Sequence, residues 1–431
     1  MKIIFKFVLI MENKEYNLIV VGGGAAGLMA AGMAAQRGLN VVLLEKMEKT
    51  GRKVRTSGKG RCNVTNTKPM EEFLSKIQCN AEFFRPSFMQ FTNNSLMRFL
   101  ERRGVKLVVE HGDRVFPKSG KAWDIAQALV DWCREEGVDV ICEAKVEDIV
   151  TVNNKVLGVM YRNSRGFVRK IEAPNVILCT GGASYPATGS TGDGYMLAHK
   201  LGHSIVEIRP SLVPLESNYP EVRYMAGLLL KNINLTLLVD GERVTEEFGE
   251  MSFSKRGLEG AVILRVSRKA VDALIEGKTV EISLDLKHAM TREEVVRRIQ
   301  REIEEQPDTI TIGELIRKIV PRELVVPMAK LIDVNARKPV GEFDEAAVER
   351  FADLLKDFRI PVSDYRPFEE AVVTAGGVDV NEIYPETLES KLVKGLYFAG
   401  ELMDLDANTG GYNLQIAFST GHLAAQLRKQ K

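Results

Sequence analysis

The chain has 431 residues, 45% hydrophobic and 27% charged, with a formal net charge of +1 at neutral pH. That length exceeds one ordinary core, so two or three domains are expected, and the near-zero charge argues against a broad nucleic-acid-binding face. Five cysteines, an odd number with no C-x-x-C pair, offer neither a disulfide framework nor a metal site and point to a reducing compartment.

In chain order, "MKIIFKFVLI" imitates a signal peptide, but Lys6 interrupts the apolar run and no small-residue cleavage site follows. Residues 1–10 therefore read as an N-terminal extension, with Met11 a natural start. No segment approaches the roughly 20 apolar residues that cross a bilayer, so a cytoplasmic protein without a membrane partner is expected.

Residues 17–46 read strand, glycine turn, helix, strand: "NLIVV", "AAGLMAAGMAAQRG", "NVVLLEK". Gly38 falls where a helix-terminating glycine belongs. Residues 94–110 and 122–142 each read as an amphipathic helix, a glycine stop and a strand. "NVILCTGG" (175–182) is a buried strand ending in glycines, and "LYFAGE" (396–401) repeats the pattern before a helical C-terminal stretch. Between about 206 and 370 the texture changes. "INLTLLVDGERVTEEF" (233–248) is a hairpin with Asp-Gly at its turn, and "TVEISLDL" (279–286) alternates like a strand. From 291 the chain is charge-rich and helical, with Thr291 and Glu294 spaced as a capping box.

This pattern divides the chain into a first α/β part (11–205), a β-rich insert (206–288 and 353–370) holding a small helical piece (289–352), and a second α/β part (371–431). The fold expected is a Rossmann-like α/β domain interrupted by that insert.

Gly22, Gly24 and Gly27 form G-x-G-x-x-G at the first strand-to-helix turn. The first glycine permits the turn, the second admits a pyrophosphate to the helix N-terminal amides, and the third lets helix and strand pack closely. Glu45 ends the second strand where an acid would hold ribose hydroxyls, and an acid there disfavours a 2′-phosphate, so FAD or NAD is expected and not NADP. The segment "TGRKVRTSGKGRCNVTN" (50–66) places Arg52, Lys53, Arg55, Lys59 and Arg61 within ten residues, interleaved with Ser57, Gly58 and Gly60. It reads as an extended stretch along a diphosphate and ring system, which favours FAD. Further glycine clusters follow at 179–195, 374–378 and 398–417. Glu401 ends a strand where it would accept hydrogen bonds from a ribityl chain, and Gly410 and Gly411 open a helix whose amides would face the flavin and stabilise negative charge on the reduced ring. Gly411 is expected to be glycine so that the ring can approach.

These blocks, with "SGKGRCNVTN" and "TGGYNLQ" the most specific, resemble the BaiN/YhiN-like family of FAD-dependent oxidoreductases over essentially the whole chain after Met11. The family is related to fumarate-reductase-type flavoproteins. The resemblance implies a FAD domain split by a β-barrel-like insert that itself contains a helical insert. It implies FAD contacts at Gly22, Gly24, Ala25, Gly27, Glu45 and Lys46, and at Arg52, Lys53, Ser57, Gly58, Gly60, Arg61, Cys62 and Asn63. Further contacts are implied at Val146, Thr180, Gly181, Gly182, Gly376, Gly377, Gly400, Glu401, Gly411, Tyr412, Asn413 and Leu414. Where many members carry a histidine and a Gly-Leu-Ser-Gly-Pro run, this chain reads "FSKRGLEGA" (253–261), with Lys255, Glu259 and Ala261 in those places. Chemistry assigned to that histidine or serine does not carry over, nor does a steroid substrate.

No second G-x-G-x-x-G marks a separate NAD(P)H domain, although NADH or NADPH remains a candidate electron donor. Cys62 reads as a packed thiol. The histidines show no ligand spacing, and His199 and His203, four apart, have no evident carboxylate partner, so no metal is expected. Arg61 and Tyr185 are the catalytic candidates, the first to anchor or polarise a substrate, the second to donate a proton. The function expected is hydride transfer through flavin N5 in reduction or oxidation of a carbon–carbon bond of a small organic substrate. The alternatives are a flavoprotein that binds or modifies RNA, which the charge disfavours, and a flavin-containing regulatory module.

Overall fold

The computed structural model describes residues 14–307 and 309–427; the expected extension at 1–10 lies outside them. The described chain divides into two compact units, one running to Arg209 and resuming at Val372, the other Pro210–Ala371.

The first unit is built on a five-stranded parallel sheet. Its strands run in the order Leu396–Phe398, Val176–Leu178, Leu18–Val21, Val41–Leu44, Asp139–Ile141. The four strands other than Asp139–Ile141 are buried at every residue, as parallel strands covered on both faces must be. Helix Ala25–Gln36 carries almost no polar face, because it is enclosed on several sides. Two glycines allow this. A Cβ at Gly32 would lie 2.5 Å from the Trp132 ring of helix Ala122–Glu135, and one at Gly421 of helix Tyr412–Ala424 would lie 2.3 Å from the Ala26 carbonyl oxygen. Strands thus deliver Gly22, Glu45, Cys179 and Ala399 from their carboxyl ends, the edge where α/β folds place ligands.

The second unit is an antiparallel seven-stranded sheet, ordered Phe358–Val362, Val280–Asp285, Leu229–Val239, Glu242–Phe253, Gly257–Glu259, Leu215–Glu216, Asp364–Tyr365. Helix Ala261–Ile275 packs on it. The Asp-Gly hairpin forms as read: Asp240 (φ 50°) and Gly241 (φ 83°) are both left-handed, the pair of conformations a type I′ turn needs. The helical piece comprises Arg292–Glu304, Ile312–Ile319, Arg322–Leu331 and Glu345–Lys356. Thr291 with Glu294 makes the capping box, and Thr311 with Glu314 makes a second one.

His422, in helix Tyr412–Ala424, stacks on Phe91 with ring centroids 4.6 Å apart. Burial, helped by the Arg37 cation, holds its imidazole down from 6.5 to about 4. The folded protein therefore binds this proton less readily than the unfolded chain, so stability present above pH 6.5 is lost as pH falls through about 4. Urea midpoints should drop between pH 7 and pH 4, and H422F, which keeps a stacking ring without the titrating group, should drop less. Equal drops in the two proteins would remove His422 from the acid limb.

Candidate functional site

The site begins at the first strand's carboxyl end. Gly22 (φ 101°) would place a Cβ 2.5 Å from the Cys179 carbonyl oxygen, and a Cβ at Gly27 would lie 1.8 Å from the Gly22 carbonyl oxygen. Neither position tolerates a side chain. At Gly24, the N-cap of helix Ala25–Gln36, a Cβ would meet nothing within 4 Å, and no side chain caps the helix. Its N-terminus has neither a capping side chain nor an acidic residue in the first turn. That is the arrangement a diphosphate requires. Glu45 accepts from Gly23 N and Met47 N, both at 2.8 Å. Burial raises its carboxyl above the ordinary value, although those amides and Lys46 oppose the shift. Lys46 donates to Asp193 (2.6 Å) and Thr191 (2.5 Å), tying the Glu45 turn to the 179–195 segment. A cavity of about 380 Å³, lined in part by Lys46, Met47, Lys145 and Arg162, adjoins this turn.

The 50–66 segment is not extended throughout. Arg52–Thr56 is one helical turn, set by left-handed Gly51 (φ 70°) and anchored by buried Val54. The chain then reverses through three consecutive left-handed residues, Gly58, Lys59 and Gly60. Reading the cations as a ligand-lined strand missed this turn because its packing signal is the single residue Val54. Cys62, also left-handed, is fully buried, and burial pushes its thiol up to about 12, too high to supply a thiolate nucleophile near neutral pH.

The short helix aims Lys53 at the centre of the site. Its Nζ donates to Ser184 Oγ at 2.6 Å and to Glu401 Oε2 at 2.7 Å. The other Glu401 oxygen, Oε1, accepts from Thr374 N (2.8 Å) and Ser184 Oγ (3.0 Å). Thr374 Oγ1 in turn accepts from Ala183 N and Ser184 N. Burial raises the Glu401 carboxyl, but Lys53, Thr374 N and Ser184 together outweigh it and leave it below the ordinary value. Four of the glycine-rich segments of the sequence, 50–66, 179–195, 374–378 and 398–417, thus meet at one charge pair. A Cβ at Gly182 would sit 2.4 Å from Thr374 Oγ1 and 3.0 Å from Glu401 Oε1, so this glycine is needed for the meeting.

The remaining expected residues separate into groups. Thr180 and Gly181 lie on the same loop as Ser184, and Gly376 and Gly377 lie in strand Val373–Val378 with Thr374. Gly400 and Glu401 follow strand Leu396–Phe398. Gly411 is the left-handed N-cap (φ 95°) of helix Tyr412–Ala424, with no side-chain cap. Its lack of a side chain has a different cause from the one expected. A Cβ would lie 2.4 Å from the Thr65 carbonyl oxygen, so backbone packing, before any ring approach, demands glycine. Tyr412 is buried with its ring edge-on to Phe73, and Asn413 braces its own loop through Ala407 N and O. Leu414 is partly buried in the core, and Val146 is buried in strand Lys145–Val152.

Of the catalytic candidates, Arg61 pairs with Glu110 and lies over the Phe116 ring at 4.4 Å, both anchored in the first unit. Tyr185 is a left-handed non-glycine residue (φ 51°) with an exposed side chain beside Ser184. His203 does have a carboxylate partner: Nδ1 is 3.0 Å from Glu382 Oε2, and Nε2 is 2.8 Å from Ser390 Oγ. Glu382 lies 179 residues along the chain, beyond any local spacing. Ser390 Oγ also accepts from Leu392 N and Val393 N, so its single proton goes to Nε2 and the imidazole is neutral. Burial lowers its basicity against the opposing Glu382 charge. The serine is buried and doubly hydrogen-bonded, so this Ser-His-Glu array clasps segments together and presents no nucleophile. Among the described residues, no group of three or more His, Cys, Asp or Glu is arranged to hold a metal ion, and no helix is long and apolar enough to cross a membrane.

The open helix N-terminus at Gly24, the ribose-side acid and the uncapped helix at Gly411 fit a flavin dinucleotide. Sequence comparison agrees. The HI0933-like protein Rossmann domain matches residues 16–427. The chain is 30% identical to the 3-dehydro-bile acid delta(4,6)-reductase of Clostridium scindens, over 96% of this chain and 98% of that protein. It is 28% identical to the ribosomal RNA dihydrouridine synthase of Haemophilus influenzae, over 94% and 97%. Among solved structures, an Escherichia coli quinol fumarate reductase FrdA variant superposes with a TM-score of 0.51 at 18% identity, over 96% of this chain and 70% of that one, which shows a shared fold.

Glu45→Ala should weaken FAD binding about ten- to a hundredfold, from loss of a charge-assisted contact worth roughly 1.5–3 kcal/mol. The flavin spectrum should change little, because Glu45 lies by the helix Ala25–Gln36 N-terminus and not at the Lys53–Glu401 centre. Titration of apoprotein with FAD measures this; equal affinity in both proteins would place Glu45 outside the site.

Proposed function

The chain belongs to the HI0933-like Rossmann-domain family and is a FAD-dependent oxidoreductase, and from this premise we propose that it reduces a carbon–carbon double bond conjugated to a carbonyl group. The names of two full-length relatives support the reading: a 4,6-unsaturated 3-oxo steroid and a uracil ring both present such a bond. The observation that carries it in this chain is the meeting at Lys53 and Glu401 of the 50–66, 179–195, 374–378 and 398–417 segments, four of those the sequence marks for flavin contact. FAD, when bound, supplies hydride transfer at flavin N5. The protein's residues do the rest. The Gly24 helix terminus and Glu45 would hold the nucleotide, and the Gly411 helix terminus, which no side chain caps, would stabilise negative charge brought to it. Tyr185 is assigned as the proton donor that completes the reduction, and Arg61, which pairs with Glu110, as the cation that would polarise the substrate carbonyl. NADH or NADPH is the electron donor, and a small organic enone is the substrate.

A second reading, uracil within RNA, rests on Arg55. Its guanidinium lies 4.2 Å over Trp123, whose side chain is about half exposed, and cation-backed aromatic faces are platforms for unstacked bases.

Anaerobic mixing with NADH or NADPH should bleach the flavin, and an α,β-unsaturated ketone should restore its colour while an isolated alkene does not. No recovery with any conjugated acceptor would sink the proposal. Recovery with uridine-containing RNA alone, at an affinity falling steeply with salt, would select the second reading.

A further inference from the structure

We propose that residues 185–191 are a strap across the glycine turn at 22–24, which must lift for FAD to enter or leave. The inference rests on the reading of that turn as the dinucleotide site, and on nothing about the substrate or the position of the flavin ring.

Residues 182–192 form a loop with a closed neck, Gly192 N donating to Gly182 O at 3.2 Å. Its first residues are pinned, since Ala183 N and Ser184 N both donate to Thr374 Oγ1. Beyond them, side chains tie the loop to the 45–53 segment. Lys46 Nζ donates to Thr191 Oγ1 (2.5 Å) and, just past the neck, to Asp193 Oδ2 (2.6 Å), and Arg52 Nη2 donates to the Ala187 carbonyl oxygen (3.0 Å). Gly189 rests on Met47, where an added Cβ would lie 2.9 Å from Cγ. Among the described residues, no backbone–backbone hydrogen bond joins 185–191 to 45–53. The Lys46, Asp193 and Arg52 side chains keep 22%, 25% and 27% of their surface open. Bonds between such groups are individually weak, and a loop they hold opens without unfolding its surroundings. Left-handed Tyr185 (φ 51°) and Gly192 (φ 78°) bracket the stretch, two turning points at which it can pivot.

The loop's root packs on Gly22, where a Cβ would lie 3.1 Å from Thr180 Cα. The segment it is tied to packs on Gly23. Gly51 N donates to Gly23 O at 2.8 Å, and a Cβ at Gly23 would lie 2.5 Å from Thr50 Cγ2. The loop thus starts against one glycine of the turn and is fastened to the chain that packs on the next. A dinucleotide lying on the turn is enclosed by it, and Tyr185, the assigned proton donor, moves with it.

A latch of this kind slows entry and exit alike, because it stabilises the closed loop whether or not FAD is bound. A residue that only touches FAD changes exit alone. T191V/D193N removes the Lys46 ties from the loop side and keeps Lys46 itself. Flavin fluorescence follows uptake on mixing apoprotein with FAD, and release on diluting the FAD-loaded protein. Both rates should rise about tenfold from loss of two charge-assisted bonds, with Kd staying within about threefold of the wild type. M47C/G189C should do the opposite. Its two cysteines fall within disulfide reach, and the oxidised protein should exchange FAD about tenfold more slowly than the reduced one. M47C alone controls for the half-buried Cys142, whose neighbour Glu143 donates from N to Met47 O. Faster release with unchanged uptake in T191V/D193N would make the loop a cofactor contact and overturn the proposal. Unchanged rates in that variant would overturn it too, whatever the crosslink does. Wild-type protein that takes up no FAD would sink the reading of the glycine turn instead, and is scored separately in the same preparation.

Discussion

A carboxylate taken out of water has to be compensated, and around Glu401 that requirement fixes where four distant stretches of chain lie. Lys53 answers with charge, Thr374 with an amide, and Ser184 with a hydroxyl held in place by the Thr374 side chain. Together these partners outweigh the burial that opposes the charge and hold the carboxyl below its ordinary value. Losing the Lys53 turn, the 179–195 loop or strand Val373–Val378 would therefore loosen the other two. Gly182 follows from the same constraint, since a Cβ there would crowd Thr374 Oγ1 and Glu401 Oε1.

The parallel sheet makes that convergence possible. Its strands end together, so the loops after Val21, Leu44, Leu178 and Phe398 all start on one edge. Parallel pairing obliges each strand to be followed by a crossover, and the helices that make the crossovers begin at this edge with their amides outward. Helix Ala25–Gln36 and helix Tyr412–Ala424 both start there without a side-chain cap and without acid in the first turn. An anion or a ring that accumulates negative charge is what such ends lack.

What could be read from the sequence was local. The strand-turn-helix around Gly22, the acid at Glu45, the Asp240-Gly241 hairpin and the Thr291 capping box each depend on residues within a few positions, so spacing reveals them. Lys53 with Glu401 and His203 with Glu382 and Ser390 are separated by well over a hundred residues, and neither motif nor periodicity connects them. Composition misled at 52–56, where a run of cations looked extended although Gly51 and Val54 make a helical turn. Gly411 was legible as a special glycine, but its partner, the Thr65 carbonyl, belongs to a short strand that only the fold brings near.

The way the chain leaves the first unit and returns explains how an insertion the size of Pro210–Ala371 can coexist with so tight a centre. Strand Ile205–Ser211 leads out and strand Val373–Val378 leads back, and the two are hydrogen-bonded neighbours. Gly376 makes the pairing close, since a Cβ there would lie 2.2 Å from the Glu207 carbonyl oxygen. Exit and return are thus fixed within the first unit itself, and the returning strand carries Thr374 to Glu401. Whatever the length of chain between them, the entropy of closing that loop grows only slowly with its size. The paired strands, not the contents of the insertion, hold Thr374 in register with the carboxylate it has to satisfy.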